Sequence, residues 1–347
     1  MLTEKQVKEI HEHLEKAQNP IFFFDNDPDG LCSFLLLQRY IERGKGVAIK
    51  SFPSLDASYC RKVEELNADY VFILDKPVVS EEFFKKLEEV NIPIIWIDHH
   101  EIDAVVPGFV NYYNPAKDGN GAEPVTALCY QITKKKEDMW IAVLGCISDS
   151  YLPDFYYELA EKYPDLTIKT NNAFDVLYKS KIGSISRLFS DGLKDKTSNV
   201  VNMLRYLIKV KSPYEVLEEN PKNRSFHKRS EHIHGKYQLL LGKAKNLYKE
   251  KNKVLFFKYS GDLSISGELS NELSYNFPEK IIAVAYVKGG RVNLSLRGKG
   301  IKEKFLRFIE GLDGASGGGH KDAVGGVIKA DNLNDFRKKL EEDAKNR

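Results

Sequence analysis

The chain has 347 residues, of which 42% are hydrophobic, and its 52 Lys and Arg nearly balance its 50 Asp and Glu, leaving a formal charge of +2. This length predicts two domains, each with room for its own core. The charge balance excludes a strong overall attraction to nucleic acid, although a local basic groove is compatible with it. Because we find neither an apolar run of membrane-spanning length nor a signal peptide, we expect a cytoplasmic protein without membrane contact.

The first part of the chain alternates short apolar runs with amphipathic segments. After a leading helix at residues 3–16, strands are predicted at residues 21–24, 47–52, 70–74 and 93–97, with helical patterns between them. Such alternation is typical of a doubly wound parallel sheet. We therefore predict an α/β fold for the N-terminal domain.

Ionisable residues follow three of the predicted strands. They are Asp25, Asp27 and Asp29 after the first strand, Asp75 after the third, and Asp98, His99 and His100 after the fourth. Open α/β sheets bind their ligands at the carboxyl ends of the strands, so neighbouring strands would bring these side chains to one rim. Carboxylates that lie a few ångströms apart raise one another's pKa values. A divalent metal ion is the simplest way for them to stay ionised together.

The middle of the chain is predicted to be helical. Asp149 closes an apolar helix predicted at residues 140–147, where the helix dipole disfavours an unpaired anion. Either a metal ion relieves this or the carboxylate is simply solvated. We divide the chain into an N-terminal domain (1–154), a polar helical extension and connector (155–235) and a smaller C-terminal α/β domain (236–347).

The C-terminal domain carries two glycine signals. The first, Gly289-Gly290, lies between two apolar runs and predicts a β-hairpin. The second is a glycine-dense stretch at residues 317–326, which we interpret as a loop before the last strand. Consecutive glycines allow backbone N–H groups to surround an anion. A flexible hairpin without a ligand is the alternative.

The order of these motifs resembles that of a known superfamily. Asp27-Pro28-Asp29-Gly30, Asp75, Asp98-His99-His100, Asp149 and, far downstream, Gly317-Gly318-Gly319-His320 resemble the motifs of DHH phosphoesterases with their DHH-associated C-terminal domain. The likeness is nearest to archaeal RecJ-like nucleases and to nanoRNA phosphodiesterases. It implies an active site in the cleft between the two domains, with two Mn²⁺ ions or Mg²⁺ in their place.

The resemblance also implies roles for single residues of the N-terminal domain. One ion would be held by Asp27 and Asp75, and the other by Asp29, Asp75, His99 and Asp149. Asp98 would orient a histidine through a hydrogen bond, and His100 would face the phosphate. Many relatives carry a histidine ligand near position 25, so Asp25 either replaces that imidazole or only supports the site. Lys76 also departs from the small residues that usually follow the aspartate.

In the C-terminal domain the resemblance implies a clamp for substrate phosphates. It would consist of Arg297, whose planar fork suits phosphate, and His320 with Gly317, Gly318 and Gly319.

The implied reaction is metal-assisted hydrolysis of phosphodiester bonds. Single-stranded DNA or RNA is the first choice of substrate, with exonuclease action. Residues 224–253 are basic and aromatic, and they form either a track for the nucleic acid backbone or a solvated helix face. The alternatives are a phosphodiesterase for short oligonucleotides or cyclic dinucleotides, and a non-catalytic scaffold in replication or repair. A partner protein from those processes could bind residues 155–235 in either case.

Overall fold

The computed structural model describes residues 1–51, 54–101, 105–117, 119, 121 and 123–345. The chain forms two compact units, unit 1 (Met1–Ser230) and unit 2 (Glu231–Arg347). The division therefore comes slightly earlier than the boundary after Gly235 that we predicted. Within the described ranges, no helix has the length and apolar character needed to cross a membrane.

A parallel sheet forms the centre of unit 1. Its strands are β1 (Pro20–Asp25), β2 (Lys45–Ile49), β3 (Tyr70–Leu74), β4 (Ile94–Ile97) and β5 (Val110–Tyr113). They lie in the order β2-β1-β3-β4-β5, and all neighbouring pairs are parallel. This confirms the predicted α/β fold. The second strand ends at Ile49, earlier than predicted, and Phe52 at the end of the predicted strand lies outside the described residues.

Helices cover both faces of this sheet. They are α1 (Glu4–Lys16), α2 (Pro28–Ile41), α3 (Cys60–Glu65), α4 (Glu81–Glu89), α5 (Val125–Thr133) and α6 (Met139–Ser148). Successive strand residues point to opposite faces, so Phe22 and Phe24 belong to the core under α2 and α6, whereas Ile21 and Phe23 belong to the core under α3 and α4. Because both faces are covered, the strands are apolar throughout rather than alternating.

The predicted helical extension is part of unit 1. Its helices are α7 (Tyr156–Lys162), α8 (Ala173–Lys179), α9 (Lys181–Leu193), α10 (Thr197–Leu207), α11 (Pro213–Leu217) and α12 (Arg224–Lys245), the last of which continues into unit 2. Ile182, Ile185 and Phe189 of α9 are fully buried and share a core with α2 and α6. The extension therefore contributes to the stability of the sheet domain rather than standing apart from it.

Arg39, whose side chain is largely shielded from solvent, ties α2 to this extension. The guanidinium of Arg39 donates to Asp138 Oδ1 from Nε (3.0 Å) and Nη2 (2.6 Å), and its Nη1 donates to the carbonyl oxygens of Leu207, Ile208 and Val210. The side chains of Arg39 and Asp138 are only 10% and 1% exposed. Truncation of Arg39 would leave a buried carboxylate without its cation.

We expect Arg39→Ala to lower the free energy of unfolding by about 3 to 5 kcal/mol, the cost of breaking a buried ion pair from one side. Urea denaturation of the metal-free chain would measure it. The double variant Arg39→Met with Asp138→Asn removes both charges at similar volume and should recover part of the loss. An effect of Arg39→Ala below about 1 kcal/mol, the level of a surface pair, would contradict this role.

Unit 2 contains a mixed sheet. Its strands are β6 (Val254–Ser260), β7 (Ile281–Lys288), β8 (Arg291–Arg297), β9 (Ser316–His320) and β10 (Ala323–Lys329), and its remaining helices are α13 (Ser266–Asn276), α14 (Ile301–Ile309) and α15 (Leu333–Lys345). The strand order is β6-β7-β8-β10-β9, with only the β6 and β7 pair parallel among these five. Gly289 and Gly290 join β7 to β8 with φ of 55° and 79°, which confirms the predicted hairpin.

The glycine-dense stretch differs from the prediction. It forms strand β9 and most of β10, so only Lys321 and Asp322 lie between the two strands instead of a long loop. The aromatic ring of Phe305 on α14 explains why two of these strand positions need glycine. A Cβ atom at Gly317 would come within 2.3 Å of this ring, and one at Gly326 within 2.4 Å. These two glycines let the ring lie directly on the strands.

Candidate metal centre

The turn after β1 is shaped by its proline and glycine. Asp27 caps α2, because its Oδ1 accepts a hydrogen bond of 2.9 Å from the backbone N–H of Gly30. Pro28 then occupies the first position of the helix, where a missing N–H costs nothing. A Cβ atom at residue 30 would lie 2.5 Å from the carbonyl oxygen of Asp25. The turn therefore needs glycine, and it holds the acids at the end of β1.

Asp29 is buried and anchors the start of α5. Its two carboxylate oxygens accept hydrogen bonds of 2.9 Å from the backbone N–H groups of Val125 and Thr126. The hydroxyl of Thr126 also donates to the carbonyl oxygen of Asp29, at 2.9 Å. A helix N-terminus stabilises an anion, so this arrangement favours the ionised form of Asp29. Each oxygen keeps a second lone pair for another partner.

Asp75 lies at the centre of the site. It follows β3 with a φ of 57°, a left-handed conformation that Asp adopts more readily than most residues. The residue is 3% exposed, and its Oδ1 accepts no hydrogen bond from the described residues. This oxygen lies 3.3 Å from His99 Nε2 and 3.9 Å from His100 Nδ1. A strained backbone and an unsatisfied buried oxygen at one residue are typical of functional sites.

The two histidines after β4 have different partners. His99 is buried, and its Nε2 lies 3.7 Å from Asp149 Oδ2 at the end of α6. His100 Nδ1 lies 2.8 Å from Asp98 Oδ1, and the backbone N–H of His100 donates to Asp98 Oδ2. Burial disfavours the charged form of His100, but the carboxylate of fully buried Asp98 outweighs it and raises the pKa of His100 to about 9. Asp98 is thus in position to orient one of the histidines.

We expect Asp98→Asn to bring the pKa of His100 from about 9 to below the ordinary value of 6.5, because burial would then act without its main opposing charge. NMR titration of the imidazole signals in the metal-free chain would measure this pKa. Asp154→Asn, an exposed change after α6, serves as the control and should leave the titration unchanged. A His100 pKa that stays well above the ordinary value in Asp98→Asn would contradict the assignment.

Two groups of ligand atoms form within unit 1. One consists of Asp29, His99 and Asp149, the other of Asp75, Asp98 and His100, and in each the three ligand atoms lie within 4.8 Å of one another. These groups bring together six of the eight residues predicted for this site. Asp27 is exposed and, like Asp25, belongs to neither group.

The carboxylates of the site repel one another. Burial, followed by the charges of Asp29 and Asp27, raises the pKa of Asp75 well above its ordinary value. Desolvation, followed by the charges of Asp25 and Asp29, raises the pKa of Asp27 to about 8, although its side chain opens to solvent. For Asp29, burial outweighs the favourable charge of His99 and the pKa rises to about 6. A bound cation would reverse these shifts.

These residues fit a hard divalent ion. The buried Oδ1 of Asp75, to which none of the described residues donates, the mutual repulsion of the carboxylates and a donor set of oxygens with imidazole nitrogen all call for a cation. Such donors suit Mn²⁺ and Mg²⁺ better than metals that prefer thiolates. Asp29, His99 and Asp149, together with Asp75 beside His99, could hold such an ion.

Sequence reasoning missed the roles of two neighbours, Lys76 and Thr126. Lys76 is buried, and its Nζ lies 2.9 Å from Asp25 Oδ1. Buried lysines are rare unless paired, so a lysine directly after a strand-end aspartate was a signal for such a partner. Thr126 lies inside α5, and its hydroxyl donates to the carbonyl oxygen of Asp29. No sequence signal distinguishes that contact.

In unit 2, the sheet register brings two of the predicted phosphate-binding residues into one row. Arg297 on β8 and His320 on β9 both pair with Ala323 on β10, so they share a face of the sheet about 10 Å apart. Arg297 Nε donates to Asn271 Oδ1 at 2.6 Å, which fixes the guanidinium. Gly319 requires glycine because its φ is 135°. A Cβ atom at Gly318 would meet no other described atom within 4 Å.

Comparisons with known proteins agree with this architecture. The N-terminal domain of the DHH family matches residues 21–148, and the DHHA1 domain matches residues 251–346. No curated protein matches the sequence significantly. RecJ from Thermus thermophilus, solved in complex with Mn²⁺, is similar with a TM-score of 0.70 and 16% identity. The alignment covers 99% of this chain but only 54% of that RecJ, so the chain spans about half of its length.

Two further solved structures are similar over most of both chains. A DHH domain described as a member of the s1p family of ribosomal proteins aligns with a TM-score of 0.71 and 13% identity, covering 98% of this chain and 89% of the other. PggH from Vibrio cholerae, a pGpG-specific phosphodiesterase, aligns with a TM-score of 0.52 and 14% identity, covering 94% and 99%. At such low identities these likenesses show the fold alone.

Proposed function

Since this chain belongs to the DHH superfamily of phosphoesterases with the associated C-terminal domain, we propose that it is a divalent-metal-dependent exonuclease for single-stranded nucleic acid. One observation carries the metal-dependent part of the proposal. Acids and imidazoles from four separate chain segments converge at the carboxyl ends of β1, β3 and β4, around a buried oxygen of Asp75 that accepts no hydrogen bond within the described part of the chain.

The residues have distinct tasks in this proposal. Asp29, Asp75, His99 and Asp149 hold the metal, with Mn²⁺ as the first choice and Mg²⁺ as the second. When bound, such ions supply a water nucleophile of lowered pKa and stabilise negative charge on the phosphate oxygens. Asp98 holds the imidazole of His100 through Nδ1 and favours its cationic form, and a cationic imidazole can donate a charge-assisted hydrogen bond to a phosphate oxygen.

Unit 2 binds the phosphate backbone in this proposal. Arg297 and His320 lie in one row of its sheet, and the exposed Gly318, two residues before His320, offers its backbone to a ligand. Packing against Phe305 explains glycine at position 317, and a positive φ explains it at position 319, but neither reason applies to Gly318. Close approach of a substrate phosphate to the backbone would explain it.

We expect Gly318→Ala to raise the KM for a single-stranded oligonucleotide about tenfold, equal to about 1.4 kcal/mol of lost binding, without changing the melting temperature. Gly317→Ala is the matched comparison. It should destabilise the fold by about 1 to 3 kcal/mol, because its Cβ would overlap the ring of Phe305. Steady-state kinetics and thermal denaturation separate the two effects. An unchanged KM in Gly318→Ala would contradict the predicted role of this glycine.

Short substrates are the main alternative. The likeness to a pGpG-specific phosphodiesterase, which extends over 94% of this chain and 99% of the other, supports a phosphodiesterase for short oligonucleotides or cyclic dinucleotides as the second candidate. In a competition assay, DNA and RNA strands of graded length, labelled at the 5′ or 3′ end, would be incubated with the chain and Mn²⁺. Preference for a dinucleotide over every longer strand would exclude exonuclease action.

A non-catalytic scaffold is the candidate from a different class. Loss of the metal-holding residues would be expected of such a protein, whereas this chain retains Asp29, Asp75, His99 and Asp149 in close proximity. Turnover that requires Mn²⁺ and disappears in Asp75→Asn would exclude a purely structural role. Lack of hydrolysis on every substrate, despite bound metal, would favour it.

A further inference from the structure

Lys76 places a positive charge inside the candidate metal centre. The residue is 3% exposed, and its ammonium lies 2.9 Å from Asp25 Oδ1 and 3.4 Å from the carbonyl oxygen of Ser51. Its backbone is fixed as well, because the indole N–H of buried Trp96 donates to the carbonyl oxygen of Lys76 at 2.9 Å. The lysine is therefore a fixed part of the site rather than a mobile surface group.

Burial makes this ion pair hard to separate. An ammonium taken out of water needs a carboxylate and further hydrogen bonds to offset its lost hydration, and Asp25 and Ser51 supply them. If Asp25 turned to a metal ion instead, Lys76 would remain buried without its charged partner. The pair is also favoured by its surroundings, since the ammonium offsets one of the crowded negative charges at this rim.

Asp25 stands apart from the convergent ligand atoms. It belongs to neither of the two groups formed by Asp29, His99 and Asp149 and by Asp75, Asp98 and His100. The sequence leaves two roles open for Asp25, which either replaces a histidine ligand or supports the site. The contacts of its carboxylate favour the second role.

We propose that Lys76 keeps Asp25 out of the metal coordination, so that the chain holds one divalent ion tightly and a second one weakly. The inference rests on the proposed metal-dependent function, but it concerns how the charge at the end of β1 is balanced. The ammonium of Lys76 occupies the position beside Asp25 that a metal ion would otherwise take. A second ion near Asp27 and Asp75 is then left with one protein ligand fewer.

Mn²⁺ binding to the metal-free chain tests this without any reference to activity. Titration followed by calorimetry gives the number of sites and their affinities, and electron paramagnetic resonance detects two coupled Mn²⁺ ions. We expect one tight site, with the second weaker by about 10- to 100-fold, the range that a lost supporting group typically costs. The variant Lys76→Met, similar in volume but neutral, frees Asp25 and should strengthen the second site by a similar factor.

A second variant keeps the test decisive if Lys76→Met folds poorly. Asp25→Asn combined with Lys76→Met removes both charges and leaves no unpaired ion. We expect it to bind Mn²⁺ as the unaltered chain does, because Asp25 is not a ligand. Weaker binding by this double variant, or two equally tight sites in the unaltered chain, would overturn the inference. A chain that binds no Mn²⁺ at all would instead refute the proposed function.

Discussion

Replacement of Asp75 by Asn should reduce phosphodiester hydrolysis by about 1,000-fold or more. The carboxylate lies at the meeting point of the site, with Oδ1 3.3 Å from His99 Nε2 and 3.9 Å from His100 Nδ1. Asn keeps the shape of the side chain and tolerates the left-handed φ of 57°. Loss of metal-ion stabilisation costs several kcal/mol, and about 4 kcal/mol corresponds to a factor of about 1,000 in rate. Single-turnover kinetics in Mn²⁺ would measure it.

The same variant should be more stable than the unaltered chain when both are free of metal. Burial and the charges of Asp29, Asp27 and Asp25 raise the pKa of Asp75, so its ionised form opposes folding at neutral pH, and Asn removes that charge. We therefore expect a higher melting temperature in chelator and a smaller gain on adding Mn²⁺. Asp154→Asn is the surface control. A less stable metal-free Asp75→Asn with full activity would contradict the central place of this residue.

Removal of divalent ions should abolish hydrolysis. The metal-free chain should also lose folding stability as pH rises from about 4 to about 8. The raised pKa values of about 6 for Asp29 and about 8 for Asp27 mean that the folded, metal-free chain keeps protons that the unfolded chain has already lost in this range. Raising the pH therefore favours the unfolded state. Bound metal ions keep the carboxylates ionised, so this penalty disappears in the loaded chain.

The raised pKa of the buried Asp29 sets the size of this pH-dependent loss of stability. Raising the pKa of Asp29 from 3.8 to about 6 corresponds to about 3 kcal/mol lost between about pH 4 and pH 6. Asp27 is exposed, so solvent screening reduces its share. Melting temperatures with chelator and with Mg²⁺ or Mn²⁺ at several pH values would test this, since the difference between them should widen as pH rises. A difference that does not depend on pH would contradict the argument.

Much of unit 1 was predictable because its signals are local. A strand buried on both faces reads as a continuous apolar run, and Phe22, Phe23 and Phe24 form such a run before the acids. The turn around Pro28 and Gly30 was equally predictable. Proline suits the first position of a helix, and glycine allows another part of the backbone to approach closely. Neighbouring residues in the sequence were therefore enough to predict which segments form strands and which side chains follow them.

The glycine-dense stretch shows where local signals mislead. Glycine is compatible with a flexible loop and with a strand that another element approaches closely. Here Phe305 lies on Gly317 and Gly326, and that contact joins parts of the chain that are distant in sequence. The sequence pattern could not choose between the two structures, because the residue that decides lies on α14.

The amino-acid sequence by itself determined which chemical groups stand at the strand ends, since strand period and turn chemistry act over a few residues. Only the tertiary structure decided which of them meet. The order β2-β1-β3-β4-β5 puts Asp75 beside His99, and the fold brings Asp149 from α6 to the same place. It also pairs Asp25 with Lys76, which follows the neighbouring strand β3. Contacts of this kind depend on strand order and packing across the sheet, which no local pattern encodes.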